Sequence, residues 1–352
     1  MVSFPCLVRS ESGLGEVRYA LGDRLVDRYL EFVAGRCRPN TLRAVAFDLK
    51  TFFTVIAKDP AAVTAADVFE FLADQRGDRS VIRLADRESG LSARTIARRL
   101  SSVSGLYAYL VARGDTPVQA NPVPRGLLTR RQGGSRRSRT VPLVRVPRTL
   151  PKILSPDQAD RLVGALRTHR DRAMVLAMLL AGLRRCEVLG LRFADVQVAD
   201  RRLAVTQGKG GHHRIVPVAN RFFGALGSYL HDERPASAAT DRVFVVLKGP
   251  RRGLPLSAEG LDEILQGARR RAGLDHATCH ELRHTCLTRL REAGMALEAV
   301  QAQAGHQSIE STRIYLHLTN DWLAGEYQRA AALIDADTAA VAEMLAAQEV
   351  SW

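Results

Sequence analysis

Hydrophobic residues in positions 1–114 recur every three to four residues, which is the period of helices that bury one face. The pattern predicts four helices, over residues 25–33, 41–56, 64–75 and 93–114. Asn40 and Ser92 precede two of them and Thr64 opens a third, and all three are predicted caps, because their side-chain oxygens can accept backbone hydrogen bonds. On the fourth helix the apolar stripe consists of Ile96, Leu100, Val103, Tyr107 and Leu110. We therefore expect a helical N-terminal domain over residues 1–118.

Proline and arginine replace this pattern in the next part of the chain. Six prolines in residues 115–152 would break any helix, and residues 130–139 form a polar, basic run that contains glycine. Such a composition is typical of an extended and mobile segment. Residues 119–152 are accordingly predicted to link two domains.

The helical period returns at Ser155, where a capping serine followed by Pro156 indicates a helix start. Further helices are predicted over residues 170–180, 185–191, 261–272, 280–293, 297–304 and 308–318. Residues 202–206 and 214–218 instead alternate with a period of two around a Gly-Lys-Gly-Gly run, which indicates a β-hairpin. The expected fold is mainly α, with a small β-sheet in a second domain over residues 153–320. An acidic tail, residues 321–352, contains one more helical stretch.

Length and composition set the class of protein. The 352 residues suffice for about two domains, and 46% of them are hydrophobic, enough for ordinary cores. No apolar run approaches the ~20 residues that a membrane helix needs, and no signal peptide is recognisable. The five cysteines are an odd number without a Cys-x-x-Cys pair, which is typical of reduced thiols. A cytoplasmic protein without a membrane partner is expected.

The formal net charge of +14 points to nucleic acid as the partner, because neutralised phosphates contribute strongly to affinity. The charge is unevenly distributed: residues 125–152 carry nine basic residues and no acidic one, whereas residues 321–352 carry one and six. We expect the linker to lie along DNA phosphates through Arg130, Arg131, Arg136, Arg137 and Arg139. Arg94 and Arg98 lie four residues apart on a helix and form either a second phosphate contact or a solvated face.

A His-Glu-x-x-His run from His280 to His284 matches the pattern of zinc peptidases. The extended form of that pattern needs a glycine and a histidine further on, and Leu287 and Leu290 occupy those positions. Glu298 is left as a possible acidic ligand. A peptidase is the minor alternative, because the chain is strongly basic, and no metal or other cofactor is expected.

The same run can be described as His280-x-x-Arg283, and chemistry on phosphate favours this description. Arg184 and Arg283 could clamp the non-bridging oxygens of a phosphodiester and stabilise the charge that develops on them. When a phosphodiester is cleaved, the oxygen that leaves phosphorus needs a proton, and a lysine on a flexible hairpin can deliver it. Lys209 is favoured over Lys152 and Lys248 because of its hairpin.

The ordered set of Arg184, Lys209, His280, Arg283, His306 and Tyr315 resembles the tyrosine recombinase family, the phage integrase type. The resemblance is close from Ser155 to about Asn320, and the helical region before it resembles the family's core-binding domain in pattern. It implies that Tyr315 attacks DNA without a metal ion and forms a 3′-phosphotyrosine link. His280 and His306 would then orient the phosphate and assist proton transfer, and Glu187 would support Arg184.

The resemblance also implies a two-domain clamp around double-stranded DNA, with four protomers joining two DNA sites. The tail could dock on a neighbouring protomer or on its own catalytic domain. His284 and His317 are assigned to packing, and His212 and His213 are further candidates for phosphate contact. A protein of the same fold that binds DNA without cutting it is the second alternative, which the intact residue set disfavours.

Overall fold

Two hydrophobic cores organise the computed structural model, which describes residues 4–11, 16–77, 90–129, 139–147, 151–206 and 213–305. The chain divides into two units, Met1–Arg148 and Thr149–Trp352. None of the helices among the described residues is both long and apolar enough to cross a membrane. The predicted helix 308–318 and the acidic tail lie outside these residues.

The described residues between 4 and 113 in the first unit form a β-hairpin and four α-helices around one core. These elements are β1 (Val8–Glu11), β2 (Val17–Ala20), α1 (Arg24–Arg36), α2 (Pro39–Ile56), α3 (Ala65–Gly77) and α4 (Ala93–Arg113). The stripe predicted on α4 is buried along its whole length. All four helices were predicted, whereas the β1–β2 hairpin was not.

The helix caps follow from local chemistry. Ser92 caps α4 as predicted, because its hydroxyl accepts a hydrogen bond from the Thr95 amide at 3.2 Å. The predicted Asn40 cap is wrong: α2 begins at Pro39, two residues earlier than predicted, and Arg38 occupies the cap position. Proline suits a first helical position because its φ is already helical and its missing N–H would be unpaired there.

Part of the predicted linker is folded, in contrast to the extended segment expected. Strand β3 (Leu127–Thr129) pairs antiparallel with β4 (Arg139–Val141). Val144 is buried in the core of the first unit, and neighbouring apolar side chains pack on the same core: Val118, Val123, Leu143 and Val146. These apolar residues alternate with proline and arginine, so the composition of the segment concealed them.

The second unit is built around a buried helix. The α-helices among its described residues are α5 (Pro156–Gly164), α6 (His169–Ala181), α7 (Arg185–Gly190), α8 (Asn220–Ser228), α9 (Ala258–Arg271), α10 (Cys279–Glu292) and α11 (Leu297–Ala304). Ser155 begins α5 with a capping box closed by Gln158, as the sequence indicated. Helix α6 packs against α8 and α10, and most of its side chains are buried.

A three-stranded antiparallel sheet lies beside these helices. Its strands are β5 (Val196–Gln197), β6 (Arg202–Val205) and β7 (Arg214–Pro217), in that order. The predicted hairpin is confirmed as the β6–β7 pair, with Leu203 opposite Val216 in the buried face. Strand β5 and helix α8 were not predicted.

Candidate catalytic site

Arg184 lies directly before α7, where the chain leaves the end of α6. Gly182 ends α6 with a φ of 65°, a conformation that glycine adopts without steric cost. Glu187 then reaches back and accepts from the Arg184 amide at 2.9 Å and from its Nη1 at 2.7 Å. This arrangement fixes the direction of the Arg184 guanidinium, whose Nη2 donates to the carbonyl of Gly305 at 3.2 Å.

Arg283 lies on α10 and is almost completely buried, with 3% of its surface exposed. Its Nη1 donates to the carbonyl of Gly182, and its Nη2 donates to that of Ala304 at 2.6 Å. Arg283 therefore connects the end of α6 to the end of α11. The two arginines predicted from sequence donate to adjacent carbonyls, of Ala304 and Gly305.

A third arginine, Arg214 on β7, completes this arrangement. Its Nε donates to the carbonyl of Gln303 at 3.1 Å. Three guanidiniums from three separate elements thus bond to the successive carbonyls of residues 303–305, at the C-terminus of α11. A helix C-terminus carries partial negative charge, so it is a favourable place for cations.

Glu187 is the anion at the centre of this group, and its side chain is fully buried. It accepts two hydrogen bonds from Arg214, from Nη1 at 3.0 Å and from Nη2 at 2.8 Å, besides the bonds from Arg184. Burial alone would raise the pKa of Glu187, but the hydrogen bonds and charges of Arg214 and Arg184 together outweigh it and lower the pKa to about 2. The carboxylate is therefore ionised throughout the physiological range.

His280 and His284 lie one helical turn apart in the first half of α10, with 2.7 Å between their Nε2 atoms. His280 is exposed, and His284 is partly buried. Glu281, the acidic residue of the His-Glu-x-x-His run, accepts a hydrogen bond from the Thr278 amide at 2.8 Å and so caps its own helix. Among the described residues no three histidine, cysteine or acidic side chains are grouped as metal ligands.

The remaining predicted catalytic residues are outside the described part of the chain: Lys209, His306 and Tyr315. The structure does describe the residues next to two of them. Strands β6 and β7 flank the segment that holds Lys209, and Gly305 directly precedes His306. Lys152 and Lys248, the alternative lysines, are both exposed.

The residues predicted to contact DNA are less completely described. Arg94 is exposed. Arg98 binds Asp48 at 2.5 Å, and Asp48 itself is only 2% exposed. Arg139 lies in β4, whereas the other four linker arginines, Arg130, Arg131, Arg136 and Arg137, lie outside the described residues. The contacts with DNA stay predictions.

Sequence reasoning missed Arg214 and Gln303. Gln303 donates from Nε2 to the carbonyls of Ala181 and Pro217, at 3.1 and 3.3 Å. A signal for Arg214 was present: alternation along β7 places it on the same face as the buried Val216 and opposite to the exposed Ile215. An arginine on a buried face requires an anionic partner, and Glu187 is that partner.

Two family models match the chain, and they agree with the division into two units. The model described as the phage integrase family matches residues 152–321, and the phage integrase N-terminal SAM-like domain matches residues 26–114. The chain therefore belongs to the phage integrase family, the tyrosine recombinases. It is an enzyme of site-specific recombination that cleaves and rejoins DNA strands.

Among its relatives are tyrosine recombinases of the XerC and XerD types. XerC of Xylella fastidiosa strain 9a5c is 33% identical over 268 residues, covering 75% of this chain and 83% of the relative. XerC of Corynebacterium efficiens is 30% identical, with 86% and 88% covered. XerD of Listeria monocytogenes is 29% identical, with 87% and 97% covered.

Solved structures of integrases share the fold. The integrase of transposon Tn1549, in complex with transposon right-end DNA, is 19% identical with a TM-score of 0.62, covering 87% of this chain and 99% of that one. A lambda integrase dimer bound to a core site is also 19% identical, with a TM-score of 0.61 and 83% and 93% covered.

Proposed function

We propose that Arg184 and Arg283 bind the scissile phosphate of a DNA site and that Tyr315 is the nucleophile that cleaves it. The observation that carries this proposal is the convergence of the two arginines on the carbonyls of Ala304 and Gly305. Those carbonyls directly precede His306, in the segment that leads to Tyr315. Both arginines therefore bond to the backbone immediately before the stretch of sequence that holds the proposed nucleophile.

The two guanidiniums suit the clamp. The Arg184 side chain is 23% exposed and can be reached by DNA, and its two bonds to Glu187 and Gly305 use only some of its N–H donors. Arg283 is held more deeply and adds its positive charge beside the first. Because attack on phosphorus increases the negative charge on the non-bridging oxygens, a fixed cationic pair lowers the barrier more than it favours ground-state binding.

The reaction is a transesterification. The Tyr315 oxygen attacks phosphorus, a 3′-phosphotyrosine bond forms, and the bond from phosphorus to the 5′-oxygen breaks. Lys209 protonates the leaving 5′-oxygen, and His280 and His306 orient the phosphate and accept the tyrosine proton. The phosphotyrosine bond preserves the energy of the original diester, so a 5′-hydroxyl can reverse the step and reseal the strand without ATP.

Recombination joins two DNA sites, and we infer that four protomers assemble on them. The charge distribution supports separate contacts with DNA and with protein: nine basic residues lie within residues 125–152, whereas the tail at residues 321–352 is acidic. Such a tail is suited to contact protein rather than phosphate.

The test uses DNA sites selected from a library of random duplexes by binding to the full-length protein. Each selected site is then prepared as a series of duplexes with a nick at successive positions, so that a short 5′-hydroxyl fragment diffuses away and traps the adduct. We expect a covalent protein–DNA adduct on denaturing gels, formed in the presence of a chelator and absent in Tyr315→Phe, which keeps its DNA affinity.

The outcome also separates the alternatives. Tight binding without an adduct at any nick position would identify a DNA-binding protein that no longer cuts. An adduct that persists in Tyr315→Phe would overturn the assignment of the nucleophile. Zinc-dependent cleavage of peptides would instead support the peptidase alternative.

A further inference from the structure

Arg214 lies where three parts of the candidate site meet. It begins β7, directly after the hairpin segment that holds Lys209. Its guanidinium forms a bidentate pair with Glu187 and bonds to the carbonyl of Gln303, and only 12% of its side chain is exposed. A single side chain thus touches the partner of Arg184 and the segment that precedes His306.

We propose that Arg214 is a positioning residue for DNA cleavage. It fixes the direction of Arg184 through Glu187 and holds the C-terminal end of α11 beside Arg184. The inference rests on the proposed function of Arg184 and Arg283. Arg214 itself needs no contact with DNA in this role. Its contribution is the geometry of the phosphate clamp.

The first argument concerns the carboxylate of Glu187. Its Oε1 accepts from Arg184 at 2.7 Å and from Arg214 at 3.0 Å, so both arginines share one oxygen. The second oxygen is held by the Arg214 Nη2 and by the Arg184 amide, at 2.8 and 2.9 Å. Without Arg214 each carboxylate oxygen keeps only its bond from Arg184, so no group outside α7 and its cap, among the described residues, fixes the direction of the Glu187–Arg184 pair.

The second argument concerns the backbone of residues 303–305. Gly305 has a φ of 61°, and a Cβ built there would lie 2.9 Å from the Arg214 Nη1 and 3.0 Å from its Cδ. The chain therefore passes directly over the Arg214 side chain. Gln303 reinforces the same place by bonding to the carbonyls of Ala181 and Pro217. The Arg214 side chain thus packs directly against the backbone of Gly305, the residue before His306.

A purely structural role is the competing explanation, because a buried carboxylate requires a cation whatever the reaction. The two explanations differ in what they predict for substrates. A stability defect lowers the amount of active enzyme equally for every substrate. Misplacement of Arg184 or Arg283 lowers the cleavage rate most when the scissile phosphate carries its full negative charge, because only then are both guanidiniums needed to stabilise that charge.

The experiment measures single-turnover cleavage at saturating DNA on two nicked duplexes of a selected site. One carries a normal scissile phosphate, and the other carries an uncharged methylphosphonate at the same position. The variants are Arg214→Gln, Arg214→Lys and, as the matched control, Arg202→Gln, which removes the same charge from an exposed position on the neighbouring strand. Melting temperature and DNA affinity are measured for each.

We expect Arg214→Gln to lower the cleavage rate on the normal phosphate roughly 100-fold, the scale of a misplacement of about 1 Å. DNA affinity should remain at the wild-type level. On the methylphosphonate the loss should shrink to about 10-fold or less, since less charge has to be neutralised. Arg214→Lys should also be slow, because one ammonium cannot hold two carboxylate oxygens and a carbonyl in fixed directions. Arg202→Gln should cleave both duplexes like wild type.

Equal losses on the two duplexes, or wild-type rates in Arg214→Gln and Arg214→Lys, would overturn the inference. If Arg214→Gln does not fold, the Arg214→Lys comparison on the same duplexes decides it. The proposed function is judged separately in the same assay: it fails if the wild type forms no adduct that depends on Tyr315, whatever Arg214 does.

Discussion

Arg214 and Glu187 are joined by two parallel hydrogen bonds inside the second unit, with Nη1–Oε1 and Nη2–Oε2 distances of 3.0 and 2.8 Å. The same carboxylate also holds Arg184, so one anion sets the positions of two cations. Paired geometry of this kind combines strength with direction. It makes the stability of this region depend on the ionisation of a single buried carboxylate.

The first prediction concerns pH. The pKa of Glu187 is about 2 in the folded protein and its ordinary value is 4.5, so the folded state binds fewer protons between these values. The stabilisation by the ionised carboxylate is therefore complete above pH 4.5 and is lost as the pH falls towards 2. The loss amounts to about 3 kcal/mol.

The measurement is urea unfolding of the full chain, followed by circular dichroism from pH 7 down to pH 2, for wild type and Glu187→Gln. The difference in the free energy of unfolding should be constant above pH 5 and shrink below it. A difference that stays constant down to pH 2 would mean that Glu187 titrates normally.

The second prediction compares two glycines with nearly the same backbone. Gly305 and Gly273 have φ values of 61° and 63°, but a Cβ at Gly273 would meet nothing within 4 Å. Both alanine variants should lose about 1 kcal/mol from left-handed strain. Only Gly305→Ala should displace Arg214, and it should lower the single-turnover cleavage rate about 10-fold or more below that of Gly273→Ala. Similar rates for the two variants would show that Arg214 can move without consequence.

The third prediction separates two arginines on α4 that the sequence treated alike. Arg94 is exposed, whereas Arg98 pairs with the buried Asp48, which also accepts a hydrogen bond from Ser102 at 2.8 Å. Arg94→Ala should reduce the slope of log affinity against log salt by about 1 without a change in stability, if it contacts a phosphate.

Arg98→Ala should instead lower the stability of the full chain by about 1 kcal/mol, because it removes a partner from a buried carboxylate. Fluorescence anisotropy over a salt series and thermal unfolding measure both effects. A reduced salt slope in a fully stable Arg98→Ala protein would indicate that Arg98 leaves Asp48 and binds DNA.

The fourth prediction tests the proton donor. If Lys209 protonates the leaving 5′-oxygen, a substrate with sulfur in place of that oxygen should not need it, since a thiolate leaves without a proton. Lys209→Ala should then cleave normal DNA about 100-fold more slowly than wild type does. It should cleave the sulfur-containing DNA at a rate similar to that of wild type. Lys152→Ala and Lys248→Ala serve as controls on the same pair of duplexes. Rescue by sulfur in either control, and not in Lys209→Ala, would reassign the donor.

Periodicity and local capping chemistry predicted most of the helices, because both depend on residues within a few positions of each other. Ser92 and Ser155 were recognisable caps for this reason, and the glycine-rich run marked the β6–β7 hairpin. Short elements such as β5 and the pairing of β3 with β4 were missed. Their strands have two and three residues, too few to establish a period.

The sequence by itself determined the family, through six chemically matched residues in order, and it predicted that Arg184 and Arg283 belong to one site. Only the tertiary structure decided how that site is held. Three arginines meet successive carbonyls at the end of α11, and Glu187 joins two of them. No local pattern reveals such bonds, because they join side chains to backbone carbonyls from distant parts of the chain, and every residue carries the same carbonyl. Which carbonyls are available depends on where α11 ends against α6 and β7, and that is a property of packing.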